Sequence, residues 1–184
     1  MPVLDVLIYG HPFLRKRVKD AEFPDDAFPI LAKNMIETMH FHEGVGLAAP
    51  QVGMDLRLIV IDPGPLKDEV KPHPMVLINP NILLSEGEAV YREGCLSIPG
   101  IYADVKRPRT VTVQYQDING QIQKSHFSDV EARIVQHEID HLNGILFIDH
   151  LNPVRRWLLS SKLNDLKKGS GAARTATDDK GVKA

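Results

Sequence analysis

The chain has 184 residues and a mass of 20.6 kDa, which suits one domain with a substantial core. Its 43% hydrophobic and 25% charged content is that of a soluble globular protein; no apolar run is long enough for a membrane span, and the start MPVLDVLIYG lacks the basic and long apolar regions of a signal peptide. The net charge of −2 hides an asymmetry: residues 155 to 184 carry eight Lys/Arg against three Asp (+5), and residues 1 to 154 carry fourteen against twenty-one Asp and Glu (−7). The single cysteine excludes an internal disulfide and points to a reducing cytoplasm.

In chain order, DDAFPILAKNMIETMHFHEG predicts a first helix: Leu31, Met35 and Met39 recur at a spacing of four, and Gly44 supplies the stop. EGVGLAAPQVG (43 to 53) reads as a glycine turn, of interest because the Gln51 amide can donate to an oxyanion. Strands are expected at 56 to 62, 75 to 79, 87 to 93, 109 to 115 and 121 to 127, with QDING (116 to 120) closing the last two into an antiparallel hairpin. The proline-rich stretch 62 to 74 reads as a surface loop, and GIYADV (100 to 105) is given no element.

Ser128 and Glu131 have the spacing of a capping box, so a helix is expected over 129 to 142, with Gly144 just past its end. Val130, Ile134, His137 and His141 line one stripe of it. After it, PVRRWLLSSKLNDLKK has apolar residues at 154, 157, 158 and 163 between basic ones and predicts a short amphipathic helix. The remainder, 169 to 184, reads as a disordered basic tail behind a unit spanning 1 to 168. That end is either a solubilising terminus or an electrostatic foot for RNA or a ribosomal surface.

The chemistry concentrates in QHEIDHLNGILF (136 to 147). On a helix, His137 and His141 fall on one face about 5–6 Å apart at Cβ, close enough to share a cation, with Glu138 beside the metal rather than on it. Zinc peptidases with this layout need a third ligand, taken either from a histidine six residues on, where this chain has Phe147, or from a later glutamate, and none follows Glu138. The third donor is therefore Asp149, His150 or an upstream group. Upstream, His11, His40, His42, His73 and His126 stand singly and read as ordinary histidines, whereas Cys95, at a strand end in REGCLSIPG, is either a ligand or a buried apolar residue.

Three segments taken together, GVGLAAPQ (44 to 51), EGCLS (93 to 97) and QHEIDH (136 to 141), resemble in order and separation the signature motifs of the peptide deformylases. YGHPFLRK and DVKRPRTVTVQYQDINGQ also look like that family, so the resemblance covers roughly residues 3 to 152, with no motif residue missing. It implies an α+β fold, antiparallel sheets around a central helix bearing the histidines. It also implies a cytoplasmic, monomeric hydrolase that removes the formyl group from the formylmethionine of nascent polypeptides, acting on neither DNA nor membranes.

Cys95, His137 and His141 would then bind one divalent metal, natively iron(II), with zinc, nickel or cobalt also admitted by the donor set. The metal would make hydroxide available near neutral pH, with Glu138 as general base and acid. The Gln51 side chain and the Leu96 backbone amide would meet the oxyanion. For the substrate, Val45, Tyr91, Val130 and Ile134 are candidates for the methionine pocket, the Arg133 stem for a wall, and the main chain of Val45, Gly46 and Gly94 for strand-like pairing. Glu93 is expected to bridge to Arg107. Two other readings are a zinc endopeptidase and a non-catalytic metal-stabilised domain that binds ribosomes.

Overall fold

The computed structural model describes residues 3–23, 27–64 and 72–169. The expected tail, Gly169 apart, and residues 65–71 of the proline-rich loop lie outside the described residues. The elements run α1 (Phe28–Phe41), β1 (Gly46–Ala48), β2 (Leu58–Ile61), β3 (Met75–Glu86), β4 (Ala89–Cys95), β5 (Ile98–Arg107), β6 (Thr110–Gln116), β7 (Ile122–Ser128), α2 (Asp129–Leu142), α3 (Pro153–Leu158) and α4 (Ser160–Gly169). Short 3-10 turns occupy Pro12–Arg15, Ala49–Val52 and Phe147–His150.

The fold is α+β with every strand pairing antiparallel: a five-stranded sheet in the order β1-β2-β3-β6-β7, and a separate β4–β5 hairpin. Strand β2 shows why the sequence builds this arrangement. Its four residues, LIVI, are all fully buried because it is covered on both faces. Ile59 and Ile61 join Ile134, Val135, Ile139 and Leu142 of α2, whereas Leu58 and Val60 join Met35 and Met39 of α1. At roughly 1.5–3 kcal/mol for each fully buried side chain of this size, β2 anchors both helices to the sheet. A third cluster, with Ile98, Ile101, Phe147, Ile148 and Leu163, seats the hairpin and α4.

The expected hairpin of β6 and β7 is present, with Asp117 accepting from the backbone N–H groups of Asn119 and Gln121 to hold its turn. Helix α2 has the expected span, but its start differs. Ser128 makes no capping bond from its side chain; Asp129 turns the chain at φ 50°, its N–H donates to the Arg109 carbonyl (2.9 Å), and its carboxylate accepts from Arg109 Nε (2.8 Å). Strand β7 therefore enters α2 without a spacer, and the capping box is not formed. At the end of α1 the left-handed residue is Glu43 (φ 55°) rather than Gly44.

Three further expectations are corrected. Strand β3 does not stop at Asn79: it bulges there (φ 50°) and continues to Glu86, because the Asn79 side chain bonds both Ala21 backbone groups and Gln116 and so carries the strand past Pro80. The stretch from Ile98 to Arg107, which includes residues 100 to 105, forms β5. At the C-terminal end the amphipathic segment is two helices broken at Leu159, and the apolar face that packs is Leu159, Leu163 and Leu166. Val154, Trp157 and Leu158 are 67–71% exposed. No helix among the described residues is long and apolar enough to cross a membrane.

Candidate active site

Helix α2 lies over β1 and β2 and carries His137, Glu138 and His141 into the interior, each under one-tenth exposed. The two imidazole centroids stand 5.0 Å apart. Cys95 reaches them from the end of β4, where the chain reverses through Leu96 and Ser97 so tightly that Cys95 pairs with Ile98. Its Sγ lies 3.2 Å from His141 Nε2, and one ligand atom from each of Cys95, His137 and His141 falls within 4.8 Å of the others. Tetrahedral bonds of about 2.3 Å to sulfur and 2.0–2.1 Å to nitrogen call for donors about 3.3–3.6 Å apart, so the three residues fit a single cation. They are the one such group found among the described residues. Asp149 and His150 are engaged elsewhere: Asp149 accepts from Arg15 and the Leu146 N–H, and His150 pairs with Asp140.

Glu93 organises the surroundings. It accepts from Arg107 through both oxygens (2.8 and 3.0 Å), from Arg133 Nη1 (2.8 Å) and from His137 Nδ1 (3.0 Å). The bridge expected from Glu93 to Arg107 is thus one part of a larger cluster, which Arg107 extends to Asp140 at 2.6 Å. Because a carboxylate can only accept, His137 must carry its proton on Nδ1, which leaves the Nε2 lone pair for a cation. Burial alone would raise the Glu93 pKa, but the hydrogen bonds from His137 and Arg107 outweigh it and hold the group well below the ordinary carboxylate range. Burial likewise lowers His137, yet the sulfur of Cys95 and Glu93 raise it well above the ordinary histidine value. His141 is held well below that value by burial and by the charge of its neighbour His137. A cation bound here needs a deprotonated sulfur and neutral imidazoles, so protons and a divalent cation compete for these donors.

Glu138 depends on Gly46. A Cβ on that glycine would stand 2.3 Å from Glu138 Oε1 and 2.9 Å from its Cγ and Cδ, so only glycine lets the carboxyl lie against β1. Its Oε2 is buried without a hydrogen-bond partner among the described residues. Burial is the main reason its pKa is pushed up to about 7; the charge of His137 opposes the shift and that of Glu93 adds to it. Gln51 is fixed at both ends of its amide. Oε1 accepts from the Ala48 N–H (2.8 Å), while Nε2 donates to Ser97 Oγ (3.1 Å) and points at Cys95 Sγ (3.5 Å). Ser97, fully buried, was not singled out in the sequence; its place two residues after the cysteine is the signal that could have found it.

Among the expected substrate residues, Val45, Val130 and Ile134 belong to the cluster between α2 and the sheet. Tyr91 on β4 lies under the Arg133 guanidinium, 5.2 Å from its ring centroid. That guanidinium also donates to the carbonyls of Val105 (3.1 Å) and Ala89 (2.8 Å), tying α2 to the hairpin. Gly94 sits at the bulge of β4 beneath the Tyr102 ring, where a Cβ would be 2.5 Å from a ring carbon, and Leu96 is at the hairpin tip. Of the single histidines, His40 pairs with Asp62, His126 contacts Thr112 and His11 accepts from the Phe13 N–H.

A sequence model of polypeptide deformylases matches residues 3–157. A peptide deformylase of Mesorhizobium japonicum is 45% identical over 169 residues, covering 91% of this chain and 95% of its own. Solved structures agree. A peptide deformylase from Legionella pneumophila superposes with a TM-score of 0.82 at 40% identity, covering 92% of this chain and 98% of its own. One from Thermus thermophilus superposes with a TM-score of 0.84 at 36% identity, covering 91% and 99%. With the family model spanning most of the chain and relatives matched along nearly their full length, this chain belongs to the polypeptide deformylase family.

Proposed function

We propose that the protein is a metal-dependent hydrolase that removes the formyl group from the N-terminal formylmethionine of newly made polypeptides and releases formate. The observation that carries this reading is the convergence of Cys95, His137 and His141, with ligand atoms within 4.8 Å, next to a buried carboxyl with one oxygen unpartnered among the described residues. Family membership supplies the substrate class.

Cys95, His137 and His141 would hold one divalent cation, whose Lewis acidity lowers the pKa of water towards about 7 and polarises a carbonyl oxygen. Glu138 takes the proton lost by the attacking water and returns it to the departing amine, a task suited to a carboxyl whose pKa is pushed up to about 7. Gln51 Nε2, held in orientation by Ala48 and Ser97, donates to the developing oxyanion together with the Leu96 backbone N–H. A donor of this kind is worth roughly 3–4 kcal/mol of barrier. The methionine side chain rests on Val45, Tyr91, Val130 and Ile134, with the stem of Arg133 alongside. Because β1 is an edge strand, the peptide backbone can extend it at Gly46 and meet Gly94; the Val45 carbonyl, expected to pair with the peptide as well, instead accepts from the Asp62 N–H inside the sheet. Iron(II) is the proposed native ion, and zinc, nickel or cobalt also suit one sulfur and two nitrogens; elemental analysis of anaerobically prepared protein identifies it.

The direct test is formate release from formyl-Met peptides, expected without cleavage of internal peptide bonds. Internal cleavage without formate would replace this reading with the endopeptidase one. Gly46→Ala should keep the cation and lower kcat by about a hundredfold, since a displacement near 1 Å in a reacting group costs that much. Wild-type turnover in that variant would show that the Glu138–β1 contact is not needed.

The C-terminal end supports a partner. Residues 155 to 184 carry the +5 balance, and Trp157 and Leu158 are exposed beside Arg155 and Arg156. We propose that this end docks on ribosomes. Since α4 is part of the core, the test compares the intact chain with one ending at Gly169 and bearing Arg155→Glu and Arg156→Glu; weaker co-sedimentation with ribosomes at low salt is expected, and equal co-sedimentation counts against docking.

A further inference from the structure

Asp62 directly follows β2 at the start of the stretch read as a surface loop, yet it is fully buried. Its Oδ1 accepts from the backbone N–H groups of Gly64 and His73 (3.0 Å each), and its Oδ2 from His40 Nε2 (2.8 Å). Its own N–H donates to the carbonyl of Val45 (2.9 Å). One residue thus joins the last turn of α1, both ends of the 62–74 loop and the residue leading into β1. Burial would raise the Asp62 pKa, but the bonds from His73, His40 and Gly64 outweigh it, so the group is a carboxylate with every oxygen engaged.

The bond to Val45 bears on the free edge of β1. In an antiparallel ladder the N–H and C=O of one residue point to the same side, and successive residues alternate. With Val45 turned inward to Asp62, and Gly46 opposite Ile61, the polar groups of Gly46 face the free edge of β1. We propose that the His40–Asp62 pair is a positioning device that fixes Val45 and thereby the register in which a formylated peptide adds to β1. This rests on the deformylase reading above. Neither residue touches the metal ligands, Glu138 or Gln51 in the described contacts, so the effect of the pair should fall mainly on peptide binding.

The test is steady-state formate release by the metal-loaded enzyme with formyl-Met-Ala-Ser and with formylmethioninamide, which has no following peptide to pair. Asp62→Ala leaves two backbone donors without an acceptor. It should raise KM for the tripeptide on the order of tenfold, with kcat within about twofold and metal content unchanged. Asp62→Asn, which keeps the acceptor, should restore KM to within about threefold of wild type. The rise should be smaller for formylmethioninamide. His40→Ala, at an exposed position that tolerates truncation, should raise the tripeptide KM severalfold and carries the test if Asp62→Ala does not fold. An unchanged KM in His40→Ala, equal rises for both substrates, or loss of kcat and metal together without rescue by Asn would overturn the proposal. Failure of the unmodified protein to release formate would instead overturn the deformylase reading.

Discussion

Glu138→Ala is expected to lower kcat by roughly 10²–10⁴-fold while the protein keeps its metal. The two effects separate because Glu138 is not among the three grouped donors, whereas its carboxyl is the proposed acid-base group next to them. Stability should not fall with activity. The Oε2 atom is buried without a hydrogen-bond partner among the described residues, so truncation removes a buried polar group and breaks no described hydrogen bond to that oxygen. Equal or higher thermal stability, full metal content by elemental analysis and a large loss of formate release form the expected pattern. A variant that works at the wild-type rate would refute the proton shuttle.

Cys95→Ala should fail in the opposite order, losing metal first and activity as a result. Removing a residue that only orients a ligand costs about 10–100-fold in metal affinity, so removing the sulfur itself should cost more. Dialysis against a chelator followed by elemental analysis measures this directly. The variant should lose the ion under conditions in which the wild type retains it, and a large excess of metal should restore part of the turnover. Equal retention by both proteins would show that the sulfur is not a ligand.

What the sequence made legible was local. The span of α2 was expected from the spacing of Ser128 and Glu131 and from Gly144, although the capping box itself does not form, and the β6–β7 hairpin from QDING; both readings rest on residues near one another in the chain. Strand β5 escaped notice because Pro99 and Gly100 punctuate it; it forms by pairing with β4, which periodicity within the segment does not show. The continuation of β3 past Pro80 relies on the Asn79 amide reaching Ala21, 58 residues away. The site divides the same way. The motif order named Cys95, His137 and His141 together, but not that Glu93 would serve two arginines and His137 at once, nor that Asp62 would be buried inside a polar stretch. Those arrangements are made by tertiary contacts between segments whose own composition reads as ordinary strand or loop.

The position of the three donors has one more effect. Cys95 belongs to the β4–β5 hairpin and the histidines to α2, so an ion bound by all three cross-links two parts of the backbone that lie in different layers. The tie closes a loop of about 42 residues, and by the chain-entropy relation used for disulfides such a closure disfavours the unfolded ensemble by about 4 kcal/mol. A protein with one cysteine, which cannot staple itself by sulfur alone, would gain an equivalent brace from its cation, and stripping the ion would loosen the hairpin against the helix as well as stop the chemistry.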